Sequence, residues 1–154
     1  MRFAAITATL ALAVSLPCHA VLCTLLVTPM AFGIYSSILP SNTDTTSTVT
    51  VSCIPGASSL TTSYTLTIAG TGTGNDPVRS IPFSTSKLYY QIYKDAAYST
   101  VWGNTAGTGV SSSVTSISSI TPGIQIHTVY ARMQPLQAAA AGIYIGNLTI
   151  TITY

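Results

Sequence analysis

Few side chains in this sequence could do chemistry. Past residue 20 the chain holds one histidine (His127), three acids (Asp44, Asp76 and Asp95), no glutamate, and two cysteines, Cys23 and Cys53. Acid–base or nucleophilic catalysis needs two or three reactive groups at a workable spacing, and no nucleophile, metal or phosphate motif stands here. The inventory argues against an enzyme and leaves no catalytic, cofactor or metal residues to name. One histidine with two cysteines is not a zinc ligand set. His127, in a strand-like run, reads as a solvated or hydrogen-bonded residue. Asp95 reads as half of a surface ion pair with Arg132 or Lys94. Trp102 reads as packing in a small domain, the competing reading being an exposed ring that binds sugar.

The cysteines take their meaning from the N-terminus. Arg2, an apolar run over residues 3–16 and Pro17-Cys18-His19-Ala20 have the form of a signal peptide over residues 1–20, leaving one domain over 21–154. The apolar run is shorter than the roughly 20 residues of a membrane-spanning helix. Removal of Cys18 leaves Cys23 and Cys53, an even pair in an oxidising compartment, and so one disulfide is expected. Free or metal-binding thiols are the competing reading. Alternation puts Cys23, Leu25 and Val27 on one face of a strand and Val49, Val51 and Cys53 on one face of another, so both cysteines point inward. Closing a loop of about 30 residues would contribute roughly 3 to 4 kcal/mol on the chain-entropy account.

Of the 154 residues only 5% are charged, and the formal net charge is +2. Arg79, Lys87, Lys94 and Arg132 are scattered rather than clustered, which speaks against a nucleic-acid partner. The polar surface must then be built from hydroxyls and backbone.

The elements that carry these residues are short strands between turns. The clearest is at the C-terminus, GNLTITITY over residues 146–154, with Leu148, Ile150, Ile152 and Tyr154 on one face and Thr149, Thr151 and Thr153 on the other. With no later segment to pair its free side, this strand is expected at an edge. Earlier runs read as strands over 23–27, 30–35, 48–53, 64–68, 88–93 and 124–133. Residues 40–45 read as a polar loop, 69–76 as a flexible one, 110–120 as weak strand or loop, and 135–142 as an alanine-rich connection in which residues 138–141 could make one helical turn. Leu88, Tyr90 and Ile92 alternate with Tyr89, Gln91 and Tyr93, which suits a central strand. Seven or eight such strands predict an all-β fold, an immunoglobulin-like β-sandwich.

The order of several short motifs resembles the spore coat protein U domain family, which includes the subunits of archaic chaperone-usher pili. The motifs are Cys23, Phe32-Gly33-Ile34-Tyr35, Cys53, Arg79, Leu88 to Asp95 (LYYQIYKD), Trp102-Gly103, Val129-Tyr130-Ala131-Arg132, Gln137 and Gly142-Ile143-Tyr144. Each is weak alone, but their order and spacing are specific and span nearly all of the chain past the leader. Two positions depart from the pattern: Ala131 stands where the family has glycine, and Gly146 where an aspartate commonly follows the tyrosine.

The resemblance implies an incomplete sandwich lacking its final strand, which a periplasmic chaperone and then a neighbouring pilus subunit would supply. The acceptor groove is expected along Leu25 and Val27 of the first strand and Leu148, Ile150, Ile152 and Tyr154 of the last. Covering about four apolar side chains at roughly 1.5 to 3 kcal/mol each gives a gross gain on the order of 6 to 12 kcal/mol. The implied partners are the chaperone, an outer-membrane usher and other subunits, with no nucleic acid and no small-molecule substrate. The implied route runs through the periplasm to a pilus at the cell surface, with adhesion and biofilm formation as expected roles. Only Val21 and Leu22 would precede Cys23 after cleavage, so a chain that accepts a strand but donates none is expected, at a tip or chain-initiating position. The alternatives are a spore-coat or extracellular-matrix structural protein and a secreted carbohydrate-binding module.

Overall fold

Period-two alternation of β-branched and aromatic residues builds every long element of the molecule. The computed structural model describes residues 21–56, 60–70, 79–83, 85–116, 118 and 120–154. The leader, and the loop past Gly70 within 69–76, lie outside the described residues. The strands are β1 Val21–Val27, β2 Ile34–Tyr35, β3 Thr43–Pro55, β4 Leu60–Gly70, β5 Arg79–Phe83, β6 Ser86–Tyr93, β7 Val110–Ser116, β8 Gly123–Met133, β9 Gly142–Ile143 and β10 Leu148–Thr153.

All pairings are antiparallel. One sheet runs β1-β3-β8-β6-β5, a second runs β10-β4-β7, and β2 with β9 forms a small ribbon. The two larger sheets face each other across Val49, Val51, Leu88, Ile92 and Val129 on one side and Tyr64, Leu66, Ile68 and Val114 on the other, all buried. This is the expected all-β sandwich.

Between the sheets lie two large side chains. Trp102 is fully buried and its indole N–H donates to Leu66 O at 3.0 Å, while its backbone N–H donates to Ile92 O in the other sheet. Arg79 is also fully buried and donates to Ile68 O at 2.8 Å, to Trp102 O at 2.7 Å and to Gln91 Oε1. A buried cation is tolerated only when carbonyl dipoles replace its water, and these bonds do so while tying β5 to β4 and to the Trp102 loop.

Glycine matters at two points. Gly33, with φ at +78°, turns the chain ahead of β2. At Gly123 a Cβ would lie 2.5 Å from Thr115 O, so only glycine lets β7 come this close to the start of β8.

The structure departs from the sequence reading in several places. The strand expected over 30–35 shrinks to β2, because residues 30–33 leave the ladder. The loop expected over 40–45 is partly strand, since β3 extends back to Thr43, opposite Met133. Residues 110–116 form a regular strand against β4, and no helical turn forms over 138–141. β5 is a strand outside those expected from the sequence, and it tolerates Pro82 because it lies at a sheet edge, where a missing N–H costs little.

Candidate strand-binding groove

β1 ends one sheet and β10 ends the other, so each leaves one edge without a pairing strand among the described residues. The two edges flank a single trough. Its main part, about 460 Å³, is lined by Leu25 and Val27 from β1, Leu148 and Ile150 from β10, and Ile68 and Val129 on the floor. It continues past Met30, Ile145, Gly146 and Leu148 into a pole of about 280 Å³ bounded by Phe32, Ile81 and Tyr90. At the opposite end Tyr154 Oη accepts the Cys23 N–H at 3.5 Å.

The inward residues of these two strands are less covered than those of β3, β4 and β6. Inward residues of β3, β4 and β6, such as Val51, Ile68 and Ile92, are wholly covered. On β10 the alternation is as regular, yet Leu148, Ile150 and Ile152 stop at half-burial, and on β1 so do Cys23 and Leu25, while Val27 is 42% exposed. Half-buried apolar rows beside unpaired N–H and C=O groups form a surface that an extended segment would complete.

Of the residues expected in the groove, Leu25, Val27, Leu148 and Ile150 line it. Ile152 packs half-buried against the core, and Tyr154, 55% exposed, closes the end. Sequence reasoning missed Met30, Phe32, Ile81, Tyr90 and Ile145. Met30 and Phe32 sit in an apolar run that was legible as such, but it looked like a strand rather than a pole. Cys23 and Cys53 are bonded, S–S 2.07 Å, from directly opposed positions on β1 and β3.

The profile of the Spore Coat Protein U domain matches residues 7–151. The chain belongs to this family. No curated protein matches its sequence. Among solved structures it is similar to a chain in the crystal structure of the CsuC-CsuE chaperone-tip adhesion subunit pre-assembly complex from archaic chaperone-usher Csu pili of Acinetobacter baumannii, with a TM-score of 0.61 and 17% identity. The alignment covers 88% of this chain and 40% of that one, so this chain spans about two fifths of the other's length. At that identity the likeness is one of fold.

The ionisable groups of this Spore Coat Protein U domain are arranged differently from the sequence expectation. Asp95 pairs with neither Arg132 nor Lys94. Arg132 forms a bidentate pair with Asp44, Nε to Oδ1 and Nη2 to Oδ2 both at 2.8 Å, because β3 and β8 place the two directly opposite each other. These hydrogen bonds hold the Asp44 carboxyl below its usual range. Asp95 instead accepts from the Ser99 and Thr100 N–H groups, which lowers its pKa and closes its own turn. Lys94 Nζ donates to Gly109 O. Among the described residues no three His, Cys, Asp or Glu side chains gather as a metal site.

His127 lies half-buried between the sheets, 2.7 Å from Tyr64 Oη and edge-on to Trp102. Burial pushes its pKa below the ordinary value, so the folded domain favours the neutral imidazole. The unfolded chain then binds the proton more readily, and stability is full above about pH 6.5 and falls as the pH drops through and below that value. Asp44 and Asp95, whose pKa values are lowered, add their own losses only below about pH 4. Urea unfolding at pH 7.5 and at pH 5 should show the drop for the wild type and not for His127→Gln; equal drops would assign it elsewhere.

Proposed function

We propose that this chain is a non-enzymatic structural subunit of a chaperone-usher-type pilus. An extended segment fills the trough between β1 and β10, supplied first by a periplasmic chaperone and then by a neighbouring subunit. The observation that carries this reading is the pair of half-buried apolar rows on β1 and β10 that face one trough: an inserted strand would satisfy both free edges and cover Leu25, Val27, Leu148 and Ile150 together. Family membership supports it. A disulfide agrees with export through an oxidising periplasm toward the cell surface, by way of an outer-membrane usher. The similar fold belongs to a complex containing a tip adhesion subunit, which favours a distal position and a part in adhesion for this chain as well.

A spore-coat or matrix role is the second reading. It draws on the outer face of β1, β3 and β8, where Leu22, Leu26, Ile124 and Ile126 stand exposed as lateral contact surface. Immunogold labelling of intact cells separates the readings. Label at fibre ends is expected. Label along fibre shafts would overturn the distal position alone, and a diffuse coat without fibres would overturn the pilus.

A further inference from the structure

We propose that the outward face of β6 and the loops beside it form a binding cleft for an uncharged saccharide. Tyr89 and Tyr93 point outward from β6 between the buried Leu88, Tyr90 and Ile92, while the Gln91 carboxamide turns away to the buried Arg79 and the Ile92 N–H. With Arg132, Gln134 and Gln137 they border a cleft of about 540 Å³, within the usual range of small-ligand sites. Tyr89 is 48% exposed. The residue types are those that a pyranose needs. Aromatic faces, negative at the ring centre, attract its polarised C–H faces, and the tyrosine hydroxyls and the Gln134 carboxamide can bond its hydroxyls.

Charge narrows the ligand class. The Arg132 guanidinium is neutralised by Asp44, and Lys94 is turned away to Gly109 O. The cleft therefore offers no unbalanced charge to an anion, and its hydroxyls and carboxamides do not suit a lipid.

The cleft is also held in shape. Tyr98 packs edge-on against Tyr93 at 5.5 Å and against Tyr130 at 6.3 Å, with the Arg132 guanidinium 3.7 Å from its ring centre. The Gln137 side chain accepts from Tyr89 N–H at 2.6 Å and donates to Tyr89 O and Gln134 O, clamping the other wall. Among the described residues two non-glycine residues have positive φ, Tyr98 at 56° and Leu136 at 54°. One packs against the wall residue Tyr93 and the other precedes Gln137. Strained backbone of this kind persists where surrounding contacts over-determine it, often at binding sites.

The test is calorimetric titration of the exported chain with cellohexaose, chitohexaose and laminarihexaose. Binding of at least one is expected, unchanged by added salt because the ligand is neutral. Tyr89→Ala and Tyr93→Ala should each weaken it by about tenfold. Tyr93→Phe, which keeps the ring, should weaken it less, and Ile120→Ser, on a separate loop, should leave it unchanged. No binding of any of the three at millimolar concentration, strong salt dependence, or equal affinity in the alanine variants would each overturn the proposal.

Discussion

Ile150→Asp is expected to abolish stabilisation of the domain by an added strand while leaving the empty domain close to its own melting temperature. The asymmetry follows from where Ile150 sits. Its side chain lines the trough and is half-buried there, so a carboxylate at that position still reaches water when the groove is empty. Once a strand covers the groove the carboxylate is trapped without a partner, at a cost of several kcal/mol. In the wild type, a ten-residue peptide of alternating apolar residues at a hundred times its Kd should add about 2.7 kcal/mol, which corresponds to roughly 10 °C in a domain of this size. The Asp variant should show no shift and Ile150→Val nearly the full one. A full shift in the Asp variant would mean that the peptide binds elsewhere, and no shift in the wild type would remove the argument for an incomplete fold.

Trp102→Ala is expected to cost about 3 to 5 kcal/mol, a large part of the 5 to 15 kcal/mol that holds a typical domain together. The indole fills the space between the sheets and donates to Leu66 O, and the same residue's backbone binds Ile92 O and accepts from Arg79. Truncation leaves a cavity beside a buried cation that depends on the loop's position. Trp102→Phe keeps most of the apolar contact and loses about 1 kcal/mol with the hydrogen bond. Thermal melts followed by circular dichroism would order the variants, and an alanine variant within 1 kcal/mol of wild type would contradict this account. The burial also answers a question that composition left open: Trp102 is packing, and among the described residues the exposed aromatics are tyrosines.

What the sequence by itself determined is what depends on local backbone geometry. Side chains of a strand alternate whatever the strand pairs with, so the inward set Val49-Val51-Cys53 and the alternating set Tyr64-Leu66-Ile68 were legible before any fold was known, and all are buried; which face of Leu88 to Tyr93 turns inward was not legible, because both faces carry aromatics. The all-β class and the disulfide followed from that alternation and from cysteine parity, and the family from the order of its motifs. Only the tertiary structure decided which strands became neighbours. The opposition of Asp44 and Arg132 is a matter of register between β3 and β8, 88 positions apart, and nothing near Asp95 in the chain reveals that its expected partner is taken. The edge position that tolerates Pro82, and the segments carrying Met30, Phe32 and Ile145 that extend the trough beyond β1 and β10, were likewise set by non-local pairing. Strand order is chosen by the burial that the whole chain achieves at once, a quantity that no single stretch of residues contains.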